Sequence, residues 1–359
     1  MLRSAATILF AIACCAGAQA HAAERPTELA QTGGRIRAEP LLDRSGTIYV
    51  ASDDGTVRAF GRRGEPRYTM HVGARVRATP VLGADGALFV GTEAGEVLAI
   101  EPSGALRFKV RVGAPIVAAL AIAPATQARS ELILVAADGL YGFMPSGALA
   151  FHWVTPSALR TPPVVHPEGF AVLGTGYGML LAISLEGRLL WQTTAFGAIE
   201  SGVAIAPDGT IVAGTTLGSL LRFSAGGRMT AAIALPGAIF AAPLVVSDGS
   251  LYVGVENGAI YALSSTFGPR WRYATHGPIR AAPRISAQGL VVFGSTDDVV
   301  YGLRRDGAEA FRYNLGSDIR APAALGRDGT LYVGTDHGTL YAFQPHTSFE
   351  KENKQKRQP

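Results

Sequence analysis

Arg320–Phe343 reads RAPAALGRDGTLYVGTDHGTLYAF. Apolar and polar residues alternate over three short runs, which are interrupted at Gly329 and Gly338. Alternation is typical of a half-buried strand. Asp-Gly between two such runs predicts a tight hairpin, because glycine adopts the positive φ that the turn requires without strain. The stretch therefore predicts three consecutive antiparallel strands.

The same pattern recurs along the chain at a spacing of 40 residues, with one step of 43. The longer step coincides with an extra segment, Ala125–Ser130. Glycines recur about every nine residues within a copy, which leaves about five to six residues for each of four strands, called A to D. The eight copies start at Arg37, Arg77, Val117, Arg160, Glu200, Phe240, Arg280 and Arg320.

A four-stranded repeat of about 40 residues is typical of a β-propeller, because one small sheet cannot bury its faces alone. The sequence predicts an all-β fold, an eight-bladed propeller of four-stranded antiparallel blades. Proline removes a backbone donor, so a proline shared at one offset of strand A predicts an edge strand along the channel. These prolines are Pro40, Pro80, Pro163, Pro243 and Pro283.

The last copy lacks a fourth strand, because the polar segment Ser348–Lys351 stands where it should follow. Shifted by 80 positions, Glu28–Ile36 overlays Phe108–Ile116, which spans strand D of copy two. We therefore expect the N-terminal segment to supply strand D of blade eight and to close a propeller spanning residues 26–345. The overlay is imperfect, since Glu28 stands where other blades have an aromatic residue.

The first 22 residues have the pattern of a signal peptide: Arg3, an apolar run Ala5–Gly17 too short to span a bilayer, and two Ala-X-Ala cleavage sites, Ala18–Ala20 and Ala20–Ala22. This predicts export to the periplasm, without a transmembrane segment. The only cysteines, Cys14 and Cys15, lie in this stretch. The alternative is a lipoprotein anchored to the membrane through one of them.

The last residues, 346–359, hold three of the four lysines and predict a disordered basic tail. The chain is 48% hydrophobic and 17% charged, which suits a well-buried globular protein. Its net charge of +4 is modest, and basic residues are not interleaved with aromatic ones. This argues against nucleic-acid binding. We expect a monomer with a protein partner in the envelope.

Two segments, Leu251–Gly254 and Ile260–Leu263, read LYVG and IYAL, and an aromatic residue recurs in strand D of most copies. These motifs resemble the PQQ-like repeat family of propellers. That family includes quinoprotein alcohol dehydrogenases and the propeller lipoprotein of the outer-membrane β-barrel assembly machinery. The resemblance covers residues 28–345 and implies the fold more strongly than any function. The strand D residues are Tyr68, Phe108, Phe151, Trp191, Trp271 and Phe311, with Ala231 as the exception.

The enzymes of that family are longer, and the resemblance implies a site with a vicinal disulfide and a tryptophan beneath a quinone. Here the only vicinal cysteines lie in the predicted signal peptide. The loop Gly174–Gly178 resembles a phosphate-binding loop, but a strand follows it and not a helix. We therefore expect no cofactor and a non-enzymatic, protein-binding scaffold of the bacterial envelope, for which the family resemblance implies a role in outer-membrane protein assembly. The alternative is a propeller that binds a quinone or another small ligand.

Four copies that are contiguous in a closed ring, blades seven, eight, one and two, start with arginine and carry acids in the B–C turn. These acids include Asp53, Glu93, Asp297 and Asp336. One interpretation is a ring of arginine–carboxylate pairs at the channel mouth, and the other is an anion-binding mouth. This channel-mouth arginine ring comprises Arg37, Arg77, Arg280 and Arg320.

Blades four to six carry apolar residues on the same predicted face: Tyr177, Phe196, Leu217 and Phe240. Apolar residues at loop tips are typical of a contact surface, so we predict a protein-contact patch. Arg160 and Glu200 flank it at the starts of their copies. The alternative is that these side chains fold inward over the blades.

Overall fold

The computed structural model describes residues 26–155 and 159–344, which hold strands β1 to β32 and no helix. β1 (Thr27–Gln31) comes first. Blade one contains β2 (Leu41–Leu42), β3 (Ile48–Ala51), β4 (Thr56–Phe60) and β5 (Pro66–His71). Blade two contains β6 (Val81–Leu82), β7 (Leu88–Gly91), β8 (Glu96–Ile100) and β9 (Leu106–Arg111). Blade three contains β10 (Ala121–Ala123), β11 (Leu132–Ala136), β12 (Gly139–Phe143) and β13 (Leu149–Val154).

The remaining blades repeat this arrangement. Blade four contains β14 (Val164–His166), β15 (Phe170–Gly174), β16 (Met179–Ser184) and β17 (Leu189–Thr194). Blade five contains β18 (Ala204–Ile205), β19 (Ile211–Gly214), β20 (Ser219–Phe223) and β21 (Met229–Ala234). Blade six contains β22 (Leu244–Val245), β23 (Leu251–Val255), β24 (Ala259–Leu263) and β25 (Pro269–Ala274). Blade seven contains β26 (Arg284–Ile285), β27 (Val291–Gly294), β28 (Val299–Leu303) and β29 (Glu309–Asn314), and blade eight contains β30 (Ala324–Leu325), β31 (Leu331–Gly334) and β32 (Thr339–Phe343).

Each blade is a four-stranded antiparallel sheet, so the predicted eight-bladed propeller is confirmed. The A strands of neighbouring blades adjoin around the channel. They have only two or three residues, so the expected length of five to six residues is wrong for strand A. The shared proline stands directly before this strand, as Pro40 does before β2, because proline has no N–H to donate to the ladder.

The N-terminal segment closes the ring, as the overlay predicts. β1 pairs antiparallel with β32, with Thr27 opposite Ala342 and Gln31 opposite Thr339. The register shifts between Glu28 and Ala30, so Leu29 is an extra residue in a β-bulge. A Cβ on Gly64 of blade one would lie 3.1 Å from Leu29 Cδ1. Leu29, and not Glu28, therefore takes the place of the strand D aromatic.

The core is divided into eight clusters, each between two neighbouring blades. The aliphatic residue before each copy packs against strand B of the preceding blade. Ile36 is fully buried, and a Cβ on Gly334 of blade eight would lie 2.3 Å from Ile36 Cγ2. The contact that joins blade eight to blade one thus matches the contacts elsewhere in the ring, such as that of Ile239 with Gly214.

Blade five departs from the rule that a strand D aromatic packs on the C–D turn of the next blade. Trp191 lies against Gly227 in this way, and Trp271 against Gly307. In blade five the aromatic is replaced by Ala231, and the turn glycine of blade six is replaced by Phe267, which is 3% exposed and has a φ of 65°. The aromatic side chain at this boundary therefore comes from the turn and not from the strand.

The predicted signal peptide (1–22), Cys14, Cys15 and the basic tail (346–359) lie outside the described residues. Within 26–155 and 159–344, no helix is long and apolar enough to cross a membrane.

Candidate functional site

One face of the ring is formed by the B–C turns and by the D–A connections between blades, and we call it the B–C face. Each connection packs on the B–C turn of the blade before it, as when the Ile239 N–H donates to the Thr215 carbonyl at 3.0 Å. It also accepts a hydrogen bond from the next blade, as when the Glu256 N–H donates to the Ala238 carbonyl at 2.9 Å. The first residue of each copy therefore lies between two B–C turns.

The channel-mouth arginines are paired with carboxylates at this position. Arg37 Nη2 lies 3.1 Å from Asp336 Oδ2 of blade eight. Arg77 Nη1 lies 2.9 Å from Glu93 Oε1 of its own blade, and its Nε lies 3.3 Å from Asp53 Oδ1 of blade one. Partly exposed pairs of this kind contribute about 0–1 kcal/mol each.

The other two ring arginines also bind acids that the sequence did not single out, although Arg320 Nε in addition lies 3.3 Å from Asp336 Oδ2 of its own blade. Arg280 Nη2 lies 2.6 Å from Glu256 Oε1 of blade six, and Arg320 Nη2 lies 2.7 Å from Asp318 Oδ2 in the preceding connection. Asp297 of blade seven accepts hydrogen bonds from the Tyr301 hydroxyl at 2.7 Å and the His276 N–H at 2.9 Å. Burial and this bond raise the pKa of Tyr301.

Arg37 and Arg280 thus each pair with an acid of the preceding blade. The connection before each arginine is held on the B–C turn of the preceding blade, which places that turn close to the arginine. Glu256 stands at the same offset as Asp53, Glu93 and Asp336, so aligning the copies by offset would have found it.

Three of the four predicted patch residues extend into solvent. Tyr177 is 81% exposed, Phe196 67% and Leu217 74%. They do not fold inward over the blades. Phe240 is half-buried, and the guanidinium carbon of Arg280 lies 5.5 Å from its ring centroid. We call these four residues the apolar patch.

The segments that carry the patch residues are neighbours from blade four to the start of blade six. A Cβ on Gly178, next to Tyr177, would lie 2.8 Å from the Gly197 carbonyl oxygen. A Cβ on Gly197 would in turn lie 2.9 Å from Leu217 Cγ. Phe240 follows the residue that donates to the blade-five turn. The B–C turns of blades four and five and the connections after them therefore lie side by side.

Arg160 and Glu200 flank the patch and are both exposed. They occupy the same offset as the ring arginines in neighbouring blades, yet neither makes an ion pair within residues 26–155 and 159–344. Both charges at the edge of the patch are thus available to a partner, in contrast to the four neutralised arginines.

A further ion pair joins two blades next to the channel. Arg284 of blade seven binds Glu39 of blade one, with Arg284 Nε 3.0 Å from Glu39 Oε1. The pair thus links two blades that are not adjacent, since blade eight lies between them in the ring. Sequence reasoning missed this pair, because the residues stand at different offsets of different copies. Among the described side chains, no group of three or more His, Cys, Asp or Glu residues is placed to hold a metal ion.

Comparisons with known proteins agree with this architecture. BamB from Moraxella catarrhalis superposes with a TM-score of 0.74 at 16% identity, over 89% of this chain and 99% of that one. Sqt1 from Saccharomyces cerevisiae gives 0.77 at 13% identity, over 90% and 99%. The computationally designed protein Ika8 gives 0.73 at 16% identity, over 88% and 99%. These likenesses concern the fold.

No curated protein matches the chain significantly. A family model matches most of it, over residues 53–206 and 203–355, and its description is outer membrane protein assembly factor BamB. The chain therefore belongs to the family of the outer membrane protein assembly factor BamB.

Proposed function

We propose that the chain is an exported, non-enzymatic scaffold of the bacterial envelope that binds a protein partner and acts in outer-membrane protein assembly. The proposal rests on family membership for the process and on the apolar patch for the binding surface. Contiguous exposed apolar residues beside unpaired charges are typical of protein interfaces, in which a few aromatic residues supply most of the binding energy.

The experiment that tests this proposal compares the two parts of the B–C face. The double variant Tyr177→Ser/Phe240→Ser should weaken capture of the partner from crosslinked envelope extracts by about 2 kcal/mol or more. Loop-tip residues contribute little to the core, so its melting temperature should stay near that of the parent protein.

The matched control is Asp53→Asn/Arg320→Gln, which changes paired residues on the same face and should leave capture nearly unchanged. Unchanged capture by Tyr177→Ser/Phe240→Ser, with a large loss of stability, would mean that the patch serves folding and not binding. A melting temperature that rises in proportion to added quinone and calcium would favour the small-ligand alternative.

The export part of the proposal is tested by the intact mass of the protein recovered from the cell envelope. We expect a chain that starts near His21 or Ala23 and carries no acyl group. A diacylglyceryl group on Cys14 or Cys15 would replace soluble export by a lipoprotein anchor.

A further inference from the structure

The face of the ring opposite the B–C face is formed by the A–B and C–D turns, and we call it the C–D face. Each strand D begins on this face, directly after a C–D turn. β9, β13 and β17 of blades two, three and four begin with a leucine, and a second leucine follows in β17. Met144 lies in the C–D turn of blade three. These five side chains are between 40% and 54% exposed, and we call them the leucine rim: Leu106, Met144, Leu149, Leu189 and Leu190.

The repeat itself does not require apolar residues at the positions of the leucine rim. Where strand D begins, blades one, six and seven instead have Pro66, Pro269 and Glu309. The equivalents of Leu190 and Met144 in other blades include Arg67, Arg107, Arg270, Glu101, Ser264 and Arg304. Because blades fold with polar residues at these positions, core packing does not explain the leucine rim, and its exposure indicates a contact surface.

The segments that carry the leucine rim lie side by side. Arg107 of blade two donates from Nη1 to the Pro145 carbonyl of blade three at 3.3 Å, so the start of β9 adjoins the C–D turn of blade three. A Cβ on Gly187, in the C–D turn of blade four, would lie 2.9 Å from Phe151 Cβ of blade three. The rim segments of blades two, three and four are therefore neighbours along the edge of the C–D face.

The residue types of the leucine rim favour a lipid surface over a protein partner. Binding energy at protein interfaces is concentrated in Trp, Tyr and Arg, and leucine is under-represented there. The leucine rim has no aromatic residue, in contrast to the apolar patch with Tyr177 and Phe196. Leucine beside basic residues is typical of surfaces that insert apolar side chains at the boundary between lipid headgroups and acyl chains.

Two arginines beside the leucine rim are available to anionic headgroups. Arg188 directly precedes Leu189, and Arg228 stands at the equivalent position of blade five. Both are exposed, and neither makes an ion pair with residues that the structure describes. Glu186, in the same turn as Arg188, offsets one of these two charges.

Further positive charge comes from the end of the chain, which starts on the same face. β32 is strand C of blade eight, and Gln344 after it occupies the position of Met144 in blade three. Residues 345–359 therefore continue from a point on the C–D face. They contain more basic than acidic residues, with Lys351, Lys354, Lys356 and Arg357 against Glu350 and Glu352. A basic segment next to a membrane is attracted to anionic lipid headgroups.

We propose that the C–D face docks on a membrane that contains anionic lipid. The leucine rim inserts at the boundary between headgroups and acyl chains, and the two arginines and the basic chain end contact the headgroups. β13 and β17, which lead away from the rim along the outer wall, read LAFHWV and LLWQTT without Asp, Glu, Lys or Arg. Insertion of the rim therefore desolvates no charged side chain on these strands. The apolar patch lies on the opposite face and stays accessible to a protein partner.

The test is flotation of the protein with vesicles of phosphatidylethanolamine and phosphatidylglycerol. The protein is produced without residues 1–22, so that no acyl group contributes to binding. We expect binding that Leu189→Ser/Leu190→Ser weakens about tenfold, because binding strength scales with the apolar area that enters the interface. Vesicles without phosphatidylglycerol should bind the protein several times more weakly, and so should the mixed vesicles when residues 350–359 are deleted, because each change removes electrostatic attraction.

A second variant and a control accompany this experiment. Leu106→Ser/Leu149→Ser, in the other two blades of the rim, should also weaken binding, and both rim variants should melt near the parent temperature because their side chains are half exposed. Tyr177→Ser/Phe240→Ser is the matched control, since it removes apolar side chains from the opposite face, and it should bind vesicles like the parent protein.

Three results would overturn the proposal. They are no flotation of the parent protein, equal flotation of the parent protein and both rim variants, and equal flotation with and without phosphatidylglycerol. Loss of partner capture in Leu189→Ser/Leu190→Ser, without vesicle binding by the parent protein, would assign the leucine rim to a protein interface and contradict the lipid assignment. Vesicle binding and partner capture are measured separately, so this proposal and the proposed function can fail independently.

Discussion

Blades six, seven, eight, one and two differ from blades three, four and five, although all share one repeat. Every ion pair within the described residues joins side chains of the first group, including the D–A connections between those blades. Large exposed apolar residues are concentrated in the second group, with Leu106 of blade two as the exception. Blades three to five do contain charged residues, such as Arg160 and Glu200, which make no ion pair with residues that the structure describes. One arc of the ring therefore satisfies its own charges, and the other carries the surface that we propose binds a partner.

We call blades six, seven, eight, one and two the ion-paired arc. The largest effect is expected where β1 closes the ring, which lies within this arc. Deleting residues 26–34 removes β1, and about four ladder hydrogen bonds at about 1 kcal/mol each predict a loss of about 4 kcal/mol or self-association through the exposed edge of β32. Chemical denaturation measures the loss of stability, and light scattering measures the self-association. Deleting residues 350–359 is the control and should leave the melting temperature nearly unchanged, and the reverse outcome would contradict closure by the N-terminal segment.

The next largest effect is expected at Phe267, on the boundary between the two arcs. Phe267→Ala should lower the free energy of unfolding by about 3 kcal/mol, because it empties a buried aromatic site. The triple variant Arg222→Ala/Ala231→Trp/Phe267→Gly recreates the arrangement of blade six and should recover most of this loss. A triple variant as unstable as Phe267→Ala would show that the boundary depends on more than the position of the aromatic.

A smaller, pH-dependent effect is expected at Glu96, in the ion-paired arc. Hydrogen bonds from Lys109, at 2.8 Å, and Arg111 outweigh burial and hold the pKa of this carboxyl below its usual value of 4.5. A lowered pKa stabilises the fold above the unfolded value, and this stabilisation is lost as the pH falls through the folded pKa. Glu96→Gln should therefore cost about 2 kcal/mol at neutral pH, and the difference from the parent protein should vanish in acid.

Glu96 also allows a comparison with blade four. Met179 occupies the equivalent position there and cannot titrate. Met179→Leu should change stability equally at all pH values, as measured by urea denaturation between neutral pH and pH 3. A difference between Glu96→Gln and the parent protein that is the same at every pH would contradict a role for the ionised carboxylate.

The smallest effect is expected at the channel mouth. Arg77→Ala removes contacts with Asp53 and Glu93 and should cost less than about 1 kcal/mol, since partly exposed pairs contribute little. Arg160→Ala at the equivalent position of blade four should cost nothing measurable. A loss above about 2 kcal/mol for Arg77→Ala would assign the ring a structural role that exposed pairs do not usually have.

The repeat made the fold predictable, because its spacing, turn glycines and alternation each specify a blade. The exchange of Ala231 and Phe267 was also visible in the sequence, since both depart from the residue shared at their offset. The bulge at Leu29 was not visible in the sequence, because an overlay of the copies assumes equal spacing. The acids to which Arg37 and Arg280 bind could not be predicted from the sequence either, because the pairing depends on how a connection packs on the preceding blade.

Hydrogen–deuterium exchange of the protein, free and bound to its crosslinked or purified partner, tests the central comparison most directly. We predict that binding protects the B–C turns and connections of blades four and five, residues 175–178, 196–198 and 216–218. The corresponding turns of the ion-paired arc, residues 52–55, 92–95, 295–298 and 335–338, should exchange at unchanged rates. Protection of that arc, with none around Tyr177, Phe196 and Leu217, would contradict the account.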